Sequence, residues 1–308
     1  MHILIAGGAG FIGSHSSRLL LERGHRVTLV DDLSHGKREN VPAGAELVVQ
    51  DIRTPELLAV VARLKPDAVL HLAAQMDVRK SVADPTFDAS VNVLGTVNLL
   101  EASQRAGVKR FVFASSGGAV YGEQEHFPAT ESHTRRPASP YGTSKLCGEE
   151  YLLLYQRLCG LSTLALRYAN VYGPGQDPHG EAGVVAIFLA KMLSGAAPII
   201  NGDGLQTRDY VHVSDVARIN ALALEGTVTG AINVGTAKES TVVELAKVLA
   251  SAVGYTAPIA HGEGKLGEQR RSVIDPSAAQ AALGWAPTIG FEEGLAQTAR
   301  WFQAQAKK

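Results

Sequence analysis

Cysteine, long apolar runs and charge of one sign are all scarce in this chain, and each scarcity excludes a class of protein. Two cysteines, Cys147 and Cys159, in 308 residues cannot build a disulfide framework and form no metal-ligand spacing, so no metal site is expected. Both read as buried thiols. No apolar stretch approaches the ~18 uninterrupted residues of a membrane span, and the apolar N-terminal segment breaks at Gly7 without a basic region before it. A membrane role is therefore not expected, and the cytoplasm is the expected location. With 29 basic against 30 acidic side chains and no basic block, there is no electrostatic footprint for nucleic acid or an acidic membrane surface. The expected partner is a small molecule.

What the chain does have is apolar content, 45% of its residues, and a rhythm. Short β-branched runs, HILIA (2–6), RVTLV (26–30), ELVV (46–49), AVLHL (68–72), RFVFA (110–114) and STLAL (162–166), alternate with helical patterns at 11–23, 54–64, 86–106 and 141–159. That alternation predicts an α/β fold, a Rossmann-type doubly wound parallel sheet with helices on both faces. From Tyr172 onward, YGPGQDPHGEAG crowds turn-forming residues together and strands become sparse. The expected division is a dinucleotide-binding domain over 1–172, with elements of 209–235 contributing, and a smaller α/β substrate-binding domain over 173–308. An Ala-rich C-terminal helix should end in a frayed AQAKK.

GGAGFIG follows the first strand directly and opens a helix. Gly7, Gly10 and Gly13 lack the β-carbons that would keep the backbone away from a pyrophosphate, and Phe11 and Ile12 begin the helix whose amides would face it. The second strand ends in VDDL, where Asp31, beside Asp32, is placed to accept hydrogen bonds from an adenosine ribose and to repel a 2′-phosphate. NAD is therefore expected rather than NADP, although Lys37 and Arg38 offer a phosphate a partner beyond the strand end. Asp51, followed by Ile52, reaches the adenine or caps its own turn; spacing alone does not choose between these.

SPYGTSKLCGEE puts Tyr141 and Lys145 at positions i and i+4 of a predicted helix, hence on one face. A dinucleotide lying across the carboxyl ends of the strands would bring its nicotinamide to this region. Two positive groups, the ammonium and the nicotinamide, would then favour the phenolate. Lowering a tyrosine from ~10 to ~7 takes ~4 kcal/mol. The product is a general base for an alcohol whose carbon gives up hydride.

These motifs, together with HLAAQ, SSGGAVYG, LRYANVYGPG, GDGLQTRDYVHVSDVA and RRSVIDPSAAQAALGW, make the sequence resemble the extended short-chain dehydrogenase/reductases over essentially its whole length. Within them it is most similar to the UDP-glucose (UDP-galactose) 4-epimerases. The resemblance implies a UDP-sugar substrate, tightly held NAD and a homodimer formed through helices such as 86–106 and 141–159. It implies that Leu72, Ala73, Ala74, Gln75, Asn92 and Tyr168 line the cofactor. Asn170, Val184, Val185 and Arg208 would hold the nucleotide diphosphate, Asn201 the uracil side and Glu268 the nucleotide ribose.

Three departures from the family pattern matter. The hydroxyl residue usual four positions before the VYG tyrosine is Gly117 here, so Ser116, or a water in the space left by the absent side chain, is expected to bond the sugar hydroxyl. The usual lysine after the fourth strand is Met76, and an arginine of the phosphate site is Lys265, which keeps charge but loses the bidentate fork. Small Ser272 stands where a bulky residue restricts the sugar pocket, which implies tolerance of N-acetylated sugars. A nucleotide-sugar 4,6-dehydratase or decarboxylase shares this pattern but needs an extra acid and base, and Gly118 and Ala119 cannot move protons. A dinucleotide-sensing protein without chemistry is the alternative of another class.

Overall fold

HILIA and its successors lack the polar alternation of a half-exposed strand because both faces are covered. In the computed structural model, which describes residues 1–178, 183–264 and 269–306, they form β1 (His2–Ala6), β2 (Arg26–Asp31), β3 (Glu46–Val49), β4 (Ala68–His71), β5 (Arg110–Ser116) and β6 (Ser162–Tyr168). A later strand, β10 (Gly230–Val234), completes a parallel sheet in the order β10-β6-β5-β4-β1-β2-β3. Strand order reverses between β1 and β4. At that point the connections leave in opposite directions and open a crevice at the strands' carboxyl ends.

The helices in chain order are α1 (Phe11–Glu22), α2 (Glu56–Leu64), α3 (Val78–Ala83), α4 (Pro85–Ala89), α5 (Gly95–Arg105), α6 (Gly117–Val120) and α7 (Pro140–Cys159). After these come α8 (Val184–Leu193), α9 (Val213–Glu225), α10 (Val242–Val253), α11 (Ser277–Leu283) and α12 (Phe291–Ala306). Ile3, Ile5, Leu29, Leu70 and Val112 pack with α1 and α9 on one sheet face. Leu4, Val30, Val69, Phe111 and Phe113 pack with α2, α5 and α7 on the other. Each fully buried aliphatic side chain contributes ~1.5–3 kcal/mol relative to exposure.

The expected helix over 86–106 is interrupted. Between α4 and α5 the chain widens into a π turn, Ser90–Leu94, pinned from inside by Asn92. The start of α7 is specified locally: Ser139 caps it by accepting from the Gly142 amide at 3.1 Å, Pro140 fills the first turn, and Gly160 ends the helix at φ 68°.

A second sheet joins β7 (Asn170–Tyr172), β9 (Thr207–His212), β11 (Glu239–Thr241) and β13 (Arg271–Ser272), while β8 (Ile199–Asn201) pairs with β12 (Ala260–Gly262). Tyr172, Phe188, Leu245, Leu295 and Phe302 form its separate core. The chain crosses between the two parts repeatedly. After β9 it returns to the first sheet as α9 and β10, and Trp285, fully buried in the first core, donates its indole N–H to the Asp215 carbonyl at 2.9 Å.

Two expectations need correction. Cys159 is exposed and Cys147 half-buried, because Cys159 closes the last turn of α7. The AQA of the C-terminal AQAKK stays helical, since α12 runs through Ala306. Among the described residues no helix is long and apolar enough to cross a membrane.

Candidate active site

The crevice widens into a cavity of 1290 Å³ bounded by both parts of the molecule. At its inner end lies the glycine turn. Gly7 sits at φ 80°, and a β-carbon there would meet the Ala73 amide at 2.5 Å. One on Gly13 would strike the Gly7 carbonyl and Gly8. Gly10 precedes α1, whose first turn carries no acidic side chain, so its amides keep their positive potential for an anion. This cradle, which β-carbons would fill, fits a dinucleotide pyrophosphate.

Asp31 ends β2 with each carboxylate oxygen accepting one backbone amide at 2.9 Å, Ala9 on Oδ2 and Leu33 on Oδ1. Burial pushes its pKa up and these amides oppose the shift. Lone pairs remain on both oxygens for ribose hydroxyls. Lys37 pairs instead with Asp177, 3.5 Å away, and not with Asp31, an arrangement that fits NAD. Asp32 caps Ser34 through its amide and hydroxyl. Asp51 lines the cavity and caps its turn by accepting the Arg53 amide at 2.8 Å. Its ion pair with Arg53 at 2.6 Å holds the carboxyl below its ordinary pKa.

Phe11, Ile12, Ile52, Leu72, Ala73, Ala74, Gln75 and Tyr168 all line the cavity. Asn92 does not. Its side chain is spent one layer back, accepting the Gln75 amide at 2.9 Å and donating to the Gln75 carbonyl at 2.7 Å and to Asp88 at 3.0 Å. It braces the wall rather than facing the space.

Tyr141 and Lys145 both reach the cavity, and the Lys145 ammonium lies 5.8 Å from the Tyr141 ring centroid. The ammonium donates to the Ala114 carbonyl at 2.9 Å and stands 4.9 Å over the Phe113 ring. Burial pulls its pKa down to about 8, and the Asp88 carboxylate opposes that. α7 can approach this closely because Gly148 sits where a β-carbon would meet the Phe113 ring at 2.6 Å.

Ser116 ends β5 on the cavity wall. The expected water-filled space beside Gly117 is absent. A β-carbon there would lie 2.8 Å from Ile274 Cδ1, so a methyl group already fills the gap. Ser272 lies behind the wall: it is buried, and its Oγ is 3.9 Å from where a β-carbon on Gly118 would stand, close to Asn170 and Ser116 as well.

At the outer end Asn170, Val184, Val185, Asn201 and Arg208 line the same cavity. Val184 and Val185 open α8, another helix start without an acidic first turn, whose backbone amides rather than side chains are the groups that could meet an anion. Lys265 and Glu268 lie outside the described residues. Sequence reading missed Gln206 and Gln269 on the wall. Gln269 donates to the Gly122 carbonyl at 2.5 Å, and an isolated loop glutamine gives no periodic or motif signal. Among the described residues no group of side chains is arranged to hold a metal ion.

A pyrophosphate cradle at a strand-order reversal, a tyrosine with a buried lysine one helical turn away, and a second part closing the same cavity define an extended short-chain dehydrogenase/reductase. The family model described as the NAD dependent epimerase/dehydratase family matches residues 3–235, and the chain belongs to that family. It is 44% identical to a UDP-glucose 4-epimerase of Mycolicibacterium smegmatis over the full length of both chains. Among solved structures it is similar to UDP-glucose 4-epimerase of Thermotoga maritima with UDP-glucose, at 45% identity, TM-score 0.97 and 99% of each chain covered. It is also similar to UDP-glucose 4-epimerase of Thermus thermophilus in complex with NAD, at 45% identity and TM-score 0.94, covering 98% of this chain and 99% of that one.

Proposed function

We propose that the protein is an NAD-dependent 4-epimerase of UDP-hexoses, working through a 4-keto sugar with Tyr141 as the acid–base group. The observation that carries this reading is Tyr141 with buried Lys145 in one cavity with both a dinucleotide cradle and the Arg208 and α8 anion site. Bound NAD⁺ supplies a hydride acceptor and, once reduced, a donor at the same place.

Tyr141 removes the proton of the C4 hydroxyl as C4 loses hydride, leaving a 4-keto sugar. The Lys145 ammonium, 5.8 Å from the Tyr141 ring centroid, favours the phenolate, and with Met76 in place of a lysine, bound NAD⁺ would supply the other nearby positive charge toward the ~4 kcal/mol required. Arg208, Asn201 and the α8 amides anchor the uridine diphosphate while the keto sugar turns to present its other face. Tyr141 then returns its proton to the C4 oxygen as C4 regains hydride, and configuration is inverted. Ser116, at the end of β5, bonds the sugar hydroxyl in place of the side chain missing at Gly117.

Ser272, small and set behind Gly118, leaves room for an N-acetyl group, so UDP-GlcNAc is taken as well. Gly118 and Ala119 line the cavity and supply no second acid or base, which disfavours 4,6-dehydration. The retained Tyr141–Lys145 pair disfavours a purely sensory role. Free Cys147 and Cys159 support a cytoplasmic enzyme. Exposed Leu94 on the π turn and Tyr151, Leu153 and Leu158 on α7 support a homodimer through these helices, which light scattering would reveal as twice the chain mass. Incubation with UDP-galactose, UDP-GlcNAc and UDP-glucuronate separately, with identification of products, tests the reading. The 4-epimers of the first two are expected, and a 4-keto-6-deoxy sugar or unchanged substrate would overturn it.

A further inference from the structure

Asp88 on α4 is fully buried and has no part in the chemistry above, yet three segments around the cavity bond to it. Its Oδ1 accepts from Gln75 Nε2 at 2.9 Å and Asn92 Nδ2 at 3.0 Å, and its Oδ2 accepts from Ser144 Oγ at 2.7 Å. Gln75 belongs to the loop after β4, Asn92 to the π turn, and Ser144 to α7, directly before Lys145. Gln75 in turn holds the loop ahead by accepting the Asp77 amide at 2.7 Å. A neutral side chain could brace a wall; a buried carboxylate is a costly choice unless its charge is answered.

The cation available to answer it is Lys145. The other ionisable groups facing that ammonium are occupied or neutral. His71 on β4 is held neutral by burial, its pKa pulled down to about 3. Glu149 on α7 is paired with Arg167 on β6 at 2.6 Å and accepts from Ser115 on β5. Tyr141 shares α7 with the lysine. Asp88 is the acidic group whose field opposes the loss of the Lys145 proton.

We propose that Asp88 is a positioning residue of the reaction, which fixes the Gln75 loop and the Ser144 turn and, as the counter-charge of Lys145, keeps an ammonium beside Tyr141. The inference rests on the epimerase reading given above. Asp88→Asn keeps the shape and removes the charge. Lys145 then loses its proton at lower pH, so Tyr141 is deprived of its cation over the alkaline part of the range.

The test is the pH dependence of kcat for UDP-galactose in the NAD-loaded enzyme, comparing unsubstituted protein, D88N and S144A. In D88N the alkaline limb should move down by about one pH unit, with no upward movement of the acid limb. In S144A the charge remains, so kcat falls a few-fold at all pH values with both limbs in place. Equal loss at every pH in D88N, or the same limb shift in S144A, would overturn the proposal. Should D88N not fold, side-chain nitrogen NMR of the unsubstituted holoenzyme reads the same claim. Lys145 is expected as an ammonium at pH 7, and a neutral amine there would overturn it. Absence of turnover in the unsubstituted enzyme would instead reject the epimerase reading.

Discussion

On the proposed reading, Ser116 makes the sugar contact that Gly117, without a side chain, cannot. Because Ile274 fills the space beside Gly117, no water can take over there, which leaves Ser116 at the end of β5 as the proposed contact. A lost hydrogen bond of ~0.5–1.5 kcal/mol predicts that S116A lowers kcat/KM for UDP-galactose by about three- to tenfold. Steady-state kinetics check this, and unchanged turnover would assign the sugar contact elsewhere. Tyr141 and Lys145 were legible at this scale because helical spacing alone puts them on one face. Ile274 was not, since its contact with Gly117 joins parts of the chain far apart in sequence. Asn92, which the resemblance implied would line the cofactor, is spent instead on the Gln75 backbone and Asp88, and only the fold reveals those bonds.

Two helix starts are the proposed anion sites, and they differ in how they announce themselves. The α1 start is written in glycines, because the chain must pass within van der Waals distance of Ala73 and of itself. The α8 start is written in valines, whose side chains say nothing about the amides behind them. Adding one methyl to the first tests the element. Gly13→Ala would press a β-carbon into the Gly7 carbonyl and Gly8, deforming the turn, so the purified variant should carry far less NAD than the unsubstituted protein. Acid release and assay of the cofactor measures this. A full complement of NAD in G13A would contradict the assignment of this turn as the pyrophosphate cradle. The π turn at Ser90–Leu94 had no sequence signal, because its widening answers the tertiary bonds of Asn92 rather than local preference.

At the scale of the whole molecule, the strand rhythm gave the parallel sheet, and the Gly- and Pro-rich stretch after Tyr172 marked where the chain leaves it. The returns of α9, β10 and Trp285 to the first core were harder to read, since a buried apolar run does not say which core buries it. That burial has a consequence for pH. His71 is wholly buried, with its pKa pulled down to about 3 by desolvation and then by Lys145. The unfolded chain, with an ordinary histidine at ~6.5, takes up the proton first. The stabilising contribution is therefore complete above pH ~6.5 and is lost as pH falls toward 3, at up to ~1.4 kcal/mol per pH unit. Urea unfolding at pH 7, 5 and 4 should show this decline and a shallower one in His71→Gln. Identical slopes in the two proteins would place the acid sensitivity elsewhere.

On the proposed reading, the fold holds one phenol, that of Tyr141, against one carbinol. Replacing Tyr141 by Phe and measuring interconversion of UDP-galactose and UDP-glucose, with bound NAD quantified in the same sample, tests that most directly. The account predicts a loss of about 10²–10⁴-fold in kcat with the cofactor retained; inversion at an undiminished rate would contradict it.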